Sequence, residues 1–116
     1  AKWAQDAGVR FSSHMDTPVT PMRPLQAVWS PVERKTKTDV VLGSDQRINR
    51  MSALRAVTID AAWQVFMDDD IGSIEPGKLA DLVVLSGSPL TATDLRELLG
   101  DMTLIEGVTH FERNVD

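Results

Sequence analysis

One histidine and one aspartate near the N-terminus, His14 and Asp16, are the residues of this chain best suited to metal or acid–base chemistry. A catalytic zinc usually takes three side chains of His, Asp or Glu and keeps a fourth position open. Because side chains alternate along a strand, a strand continuing through both residues would direct them toward one site. The same His-x-Asp spacing is also typical of a surface histidine beside an aspartate that caps a loop. Spacing alone leaves both interpretations open.

The surroundings of this pair place it at the end of a predicted strand. Residues 9–13 form the strand candidate, and a loop with three prolines between Pro18 and Pro24 follows the pair. Proline removes backbone donors and fixes φ, so this loop is expected to be ordered but irregular. In a barrel of parallel strands, catalytic residues lie at the C-terminal ends of the strands. The position of the pair is therefore compatible with a catalytic rim.

Other polar residues are weaker candidates for a site. His110 lies in a predicted hairpin, where an exposed strand histidine is the simpler interpretation. The acidic run at residues 68–70 lacks the further spaced oxygen ligands of a calcium loop, which favours a solvated helix end. Lys78 follows a glycine but is not part of a phosphate-binding G-x-x-x-x-G-K-[ST] motif.

Composition narrows the classes of partner. The chain has 116 residues, 42% of them hydrophobic and 25% charged, as expected of one folded domain. Its net charge of -5 argues against nucleic acid or an anionic membrane as a partner, because both require a basic surface. The absence of cysteine excludes disulfides and thiolate zinc sites. No apolar run approaches the roughly 20 residues of a membrane-spanning helix.

The first part of the chain is predicted to be mainly helical. Residues 1–7 are typical of a helix end with Gly8 as its stop, and residues 25–34 predict a short helix that Pro31 limits or divides. Apolar residues at spacings of three and four from position 51 to position 66 indicate one buried helical face. Asn49 or Ser52 is the candidate cap, with a break near Thr58 and Asp60 as the cap of a second short helix.

The second part is predicted to be a small sheet. Pro76 and Gly77 suit the centre of a type II turn, and the apolar run at residues 80–86 indicates a strand covered on both faces. A capped short helix is predicted over residues 91–101, followed by a hairpin that turns at Gly107. We expect the two parts to be loosely coupled, without a necessary common core.

Three stretches in this order, HMDTPVTPMRPLQAVWSPVERKT, VLGSDQRINRMSALRAVTIDAAWQVF and GSIEPGKLADLVVLSGSPL, resemble the C-terminal end of amidohydrolase-superfamily proteins. The chain is most similar to amidohydrolase family 3, the YtcJ-like metal-dependent hydrolases. The resemblance covers residues 7–112. The segment GSIEPGKLADLVVL is typical of the superfamily, and DTPVTP with ALRAVTIDAAW narrows the resemblance to this branch.

The resemblance implies an α/β fold, namely the C-terminal piece of a TIM-barrel hydrolase with its last barrel strand and helix, plus part of a small composite β-sandwich. Residues 1–70 would be the end of the barrel and residues 71–116 the C-terminal part of the sandwich. Segment 72–85 would then be the turn and strand at which the chain leaves the barrel.

The resemblance also implies site roles. Asp16 would end the eighth barrel strand as a metal ligand and as the catalytic group that handles the proton of the attacking water. His14 would bind the substrate or orient the aspartate. A divalent metal, expected to be zinc, would act in the full-length enzyme. The family's other ligands have no counterpart here, so no metal is expected to bind this chain alone.

Three functions follow as hypotheses. The first is a fragment of a metal-dependent hydrolase that cleaves non-peptide C–N bonds of small amide-type substrates. The second is a non-catalytic α+β module that self-associates. The third is a stand-alone metal-binding protein that combines His14 and Asp16 with residues of another chain. A cytoplasmic location is expected, with export left open.

Overall fold

The structure is a computed structural model that describes residues 1–114. A helical part comes first and a three-stranded sheet follows. The helices are α1 (Lys2–Asp6), α2 (Pro24–Glu33), α3 (Arg50–Ala56) and α4 (Ile59–Gln64), the strands are β1 (Leu82–Leu85), β2 (Gly100–Ile105) and β3 (Val108–Glu112), and short 3-10 turns lie at Ser44–Gln46 and Leu95–Glu97.

Helix α2 begins at Pro24, where a missing N–H costs nothing because the first turn has no intrahelical acceptor for it. The helix continues through Pro31 to Glu33, so Pro31 does not divide it. Its C-cap is Arg34, whose backbone is left-handed with φ 50° and whose N–H donates to the Ser30 carbonyl. The predicted short helix is thus confirmed as one continuous element.

Helices α3 and α4 lie on either side of the predicted break at Thr58. Asn49 caps α3, because its side chain accepts a hydrogen bond of 2.8 Å from the Ser52 N–H. The prediction that Asp60 caps the second helix is wrong. Thr58 holds the cap position of α4, and Asp60 lies in the first turn, where a carboxylate favours the positive end of the helix dipole.

The segment before His14 is not the strand that its sequence predicts. Among the described residues, no neighbouring strand completes a ladder with residues 9–13, and strand hydrogen bonds require such a neighbour. The segment instead lies against the helices. The Ser13 N–H donates to the Ala56 carbonyl at 2.9 Å, and Arg10 binds Asp60.

The three strands form an antiparallel sheet in the order β1-β2-β3. The predicted hairpin is confirmed: β2 and β3 pair around Glu106 and Gly107, whose positive φ angles of 50° and 79° suit a two-residue turn. The expectation that β1 is covered on both faces is wrong for the described chain. Val83 and Val84 point to opposite faces and are 56% and 49% exposed.

The turn before the sheet has the predicted form. The Lys78 N–H donates to the Glu75 carbonyl at 3.2 Å, and Gly77 has φ 97°, which closes a type II turn around Pro76 and Gly77. Gly72 also has a positive φ, of 90°, and approaches α4 closely.

The core joins the two parts of the chain, contrary to the expectation of loose coupling. Leu95, only 1% exposed, packs with the buried residues Val28, Trp29, Ile48 and Ala53 of the helical part. These residues exclude water together because each covers apolar surface of the others. A second link is a guanidinium hydrogen bond of 2.6 Å from Arg50 to the Ala92 carbonyl. Within residues 1–114, no helix is long and apolar enough to cross a membrane.

Candidate active site

His14 and Asp16 lie in a turn and not along a strand. Asp16 has a left-handed backbone with φ 54°, which an extended strand does not allow. The expectation that a continuous strand aligns the two side chains on one face is therefore wrong. They are neighbours through a local hydrogen bond: the Asp16 N–H donates to His14 Nδ1 at 3.1 Å.

Two more hydrogen bonds close this turn. The Val19 N–H donates to the Asp16 carbonyl at 2.7 Å, and the Thr20 hydroxyl donates to the Met15 carbonyl. The Thr17–Pro18 peptide bond within the turn is cis. Both His14 and Asp16 are exposed, so solvent or a ligand can reach their side chains.

The pair borders an open depression of about 460 Å³. Its walls combine the polar groups of His14 and Asp16 with apolar surface from Met22, Ala27 and Val57. Small-molecule sites commonly have this composition, with a few polar groups set in apolar walls. One side of the depression is open to solvent.

The donor set fits part of a metal site and not a complete one. Residues 1–114 contain no group of three His, Cys, Asp or Glu side chains arranged to hold a metal ion. The Asp16 carboxylate accepts no hydrogen bond from the described part of the chain, so its oxygens are available to a cation. His14 Nδ1 already accepts the Asp16 N–H, which leaves Nε2. A catalytic zinc would need further ligands from elsewhere.

Sequence analysis does not predict a second polar cluster, which lies at the other end of segment 9–13. Arg10 donates from Nε to Asp60 at 2.6 Å and from Nη2 to the Ile59 carbonyl at 3.2 Å. Its guanidinium also lies 4.7 Å from the centroid of the Trp63 ring, a geometry that favours a cation–π contact. A charged residue in a strand candidate was the only available signal, and it does not specify a partner 50 positions away.

The weaker candidates for a functional site are Lys78, His110 and the acidic run at residues 68–70. Lys78 donates from Nζ to the Ser73 hydroxyl at 2.7 Å and to the Asp68 carbonyl, so its charge holds the turn before β1. His110 is an exposed residue of β3, as the simpler interpretation predicts. In the described chain, the acidic run at residues 68–70 does not form a cation site.

Comparison with known proteins identifies the family to which this chain belongs. The profile described as "Amidohydrolase family" matches residues 1–111. The chain belongs to this amidohydrolase family, as the resemblance indicates. The crystal structure of an amidohydrolase from Thermotoga maritima MSB8 superposes with a TM-score of 0.70 at 31% identity, over 94% of this chain and 24% of that one. The described chain thus has the fold of part of an amidohydrolase.

Characterised relatives share this region. An N-substituted formamide deformylase of Arthrobacter pascens is 37% identical over 93% of this chain and 20% of its own length. The imidazolonepropionase of Symbiobacterium thermophilum is 51% identical over 34% of this chain and 9% of its own length. Protein LONG AFTER FAR-RED 3 of Arabidopsis thaliana is 43% identical over 61% and 12%. The chain therefore spans about a fifth or less of the length of these relatives.

Proposed function

We propose that this chain supplies one wall of the active site of an amidohydrolase that hydrolyses non-peptide carbon–nitrogen bonds of small amide-type substrates. The observation that carries the proposal is the Asp16 carboxylate, which borders the depression and accepts no hydrogen bond from the described residues. Membership of the amidohydrolase family over residues 1–111 supports the reaction class. A formamide deformylase and an imidazolonepropionase among the relatives support it further.

The chemistry requires a proton carrier, and Asp16 has the properties of one. Water adds to the carbonyl carbon, the C–N bond breaks, and the proton lost by water is needed on the departing nitrogen. A carboxylate within hydrogen-bond reach can accept that proton and deliver it to nitrogen. An exposed aspartate with no competing partner in the described chain is free to do both.

A divalent metal, zinc in this proposal, would supply an activated water when bound, since such ions lower the pKa of water from about 16 to about 7. Asp16 would contribute one ligand to it. The remaining ligands would come from the parts of the enzyme that the relatives possess and this chain does not cover, because the chain spans 20% of the deformylase. Residues 1–70 would belong to the barrel that holds this site, and residues 71–116 to the adjoining sandwich.

The proposed substrate class is small amides, including N-substituted formamides. The deformylase relative acts on N-substituted formamides by its name, and it is similar along nearly the whole of this chain. The apolar walls at Met22, Ala27 and Val57 would accommodate an N-substituent. His14, on the same depression, would contact the substrate through its free nitrogen.

An assay of amine release tests this function in the intact protein that contains the chain. N-substituted formamides and simple amides are offered before chelation, after chelation by dipicolinate, and after zinc is restored. The proposal predicts release that chelation abolishes and zinc restores. Release that survives removal of the metal contradicts the metal requirement, and no release from either substrate type contradicts the proposed substrate class.

A non-catalytic, self-associating module is the second candidate, favoured by the exposed apolar sheet. Val83 pairs with Thr103, which pairs with Phe111, so the three form one row across the strands. Val83 and Phe111 are both more than half exposed. Exposed apolar surface of this kind favours association, because burying it removes it from water. In this alternative Asp16 has no catalytic role.

A further inference from the structure

The backbone of Asp16 is held in a conformation that few residues adopt. A left-handed backbone is uncommon for residues with a side chain, although aspartate tolerates it better than most. Such a conformation persists when the surrounding hydrogen bonds fix it. At Asp16 these bonds come from both sides: the carbonyl accepts from the Val19 N–H, and the N–H donates to His14 Nδ1.

The His14 imidazole has a defined hydrogen-bonding state in this arrangement. A nitrogen that accepts a hydrogen bond carries no proton, and in neutral imidazole the other nitrogen is then the donor. Because Nδ1 accepts the Asp16 N–H at 3.1 Å, the proton is on Nε2. The two nitrogens of His14 therefore have different partners. Nδ1 accepts the hydrogen bond from the turn, and Nε2–H is available to solvent or a ligand.

We propose that His14 is a positioning residue, whose Nδ1 holds the Asp16 turn so that the carboxylate meets the depression. The inference rests on the proposed function, in which Asp16 carries the proton. The Val19 N–H holds the Asp16 carbonyl and the Thr20 hydroxyl holds the Met15 carbonyl, whereas His14 holds the N–H of Asp16 itself. Without that bond, only the carbonyl of Asp16 keeps a hydrogen bond among its own two backbone groups, and the carboxylate moves.

Two substitutions separate the nitrogens of His14. Asparagine places its Oδ1 where Nδ1 lies, one bond beyond Cγ, and such a side chain readily accepts the N–H two residues on. Glutamine reaches the position of Nε2 but provides no acceptor at the position of Nδ1. His14→Asn therefore keeps the bond to Asp16 and removes Nε2–H, His14→Gln does the opposite, and His14→Ala removes both.

The experiment measures kcat and KM of these three variants in the intact hydrolase, with His110→Asn as the control. His110 is an exposed histidine on β3, so its replacement is expected to change neither constant. Displacement of a catalytic group by about 1 Å costs about 100-fold in rate, so we expect His14→Ala and His14→Gln to lose at least about tenfold in kcat. His14→Asn is expected to retain most of the native kcat and to show its defect as a higher KM.

Hydrogen exchange gives a readout that does not depend on activity. The Asp16 amide is expected to exchange slowly in the native protein and in His14→Asn, and faster in His14→Ala and His14→Gln. Urea midpoints of all the variants should agree, since the bond is local and exposed.

Three results overturn the positioning role: an unchanged kcat in His14→Ala, equal losses in His14→Asn and His14→Ala, or recovery by glutamine and not by asparagine. The last result assigns His14 to the substrate alone. Asp16→Asn separates this failure from failure of the proposed function. If Asp16→Asn keeps full turnover, the proposed function itself is wrong, whereas an inactive Asp16→Asn beside a fully active His14→Ala refutes only the positioning role.

Discussion

Arg10 donates from Nε to Asp60 Oδ1 over 2.6 Å, although the two residues lie 50 positions apart in the sequence. This contact fixes the start of the segment that ends in His14 and Asp16 against helix α4. The segment has no strand partner among the described residues. Side-chain contacts of this kind therefore hold it in place of the backbone hydrogen bonds between strands. A residue pair remote from the candidate site thus anchors the segment that leads into it.

Removal of this pair should measurably destabilise the fold. Arg10→Ala is expected to lower the free energy of unfolding by about 1–2 kcal/mol, because a charged hydrogen bond is lost and the Asp60 carboxylate, largely covered, remains. The control is Lys2→Ala, which breaks the exposed Lys2–Asp6 pair and should cost about 0.5 kcal/mol or less. Urea denaturation of the chain measures both. Equal losses in the two variants would show that the Arg10 contact is only another surface pair.

A comparison of two glycines tests the packing of the turn before the sheet. A Cβ on Gly72 would lie 2.7 Å from Ala62 Cβ and 2.9 Å from Ile59 Cα, whereas a Cβ on Gly77 meets nothing within 4 Å. Both have positive φ, so each alanine variant should lose about 1–2 kcal/mol from backbone strain. Gly72→Ala should lose about 1–3 kcal/mol more from overpacking. Equal urea midpoints for the two variants would contradict the close approach of Gly72 to α4.

The stability of the Leu95–Glu97 turn is expected to depend on acid pH. The side-chain hydrogen bond from Arg96 lowers the pKa of Asp94 from 3.8 to about 2, and the Arg96 N–H contributes in the same direction. Since the folded pKa lies below the unfolded one, the stabilisation is complete above about pH 4 and is lost as the pH falls toward about 2. The difference in urea midpoint between native protein and Asp94→Asn should shrink over that interval. A carboxyl-carbon NMR titration of Asp94 with its midpoint at 3.8 would refute this assignment.

Local signals in the sequence are sufficient to predict elements whose contacts are all between residues close in sequence. The cap at Asn49, the turn at Pro76 and Gly77, and the hairpin at Gly107 each depend on the residues within a few positions, and all three are present. The prediction of Asp60 as a cap is wrong because Thr58, two positions earlier, holds the cap position of α4. Capping propensity ranks residue types, but it does not determine the residue at which a helix starts.

The remaining differences concern contacts between distant residues. Leu95 joins the helical core although its own turn belongs to the second part of the chain, and local pattern contains no information about that partner. The strand predicted at residues 9–13 has no neighbouring strand among the described residues, and strand preference depends on packing against such neighbours. At the site, the types and spacing of His14 and Asp16 were visible, but the left-handed turn that joins them was not.

The exposed row across the sheet predicts self-association of the isolated chain. Phe111→Ser should increase the monomer fraction, because it removes apolar area from the row shared with Val83. Val19→Ser is the control, since Val19 is exposed in the proline-rich loop, away from the sheet. Light scattering across a dilution series measures both variants. A chain that is monomeric throughout, or a larger effect of Val19→Ser, would rule out this surface as the contact.

The turnover of Asp16→Asn in the intact hydrolase tests the central claim most directly. Asparagine keeps the size of the side chain and its left-handed backbone tendency but cannot take a proton from water. We expect kcat to fall by at least about 100-fold, in the range of general acid–base contributions, while the urea midpoint stays unchanged. Asp69→Asn, an exposed carboxylate outside the depression, should retain native turnover. Native turnover in Asp16→Asn would contradict the assignment of this carboxylate to the reaction.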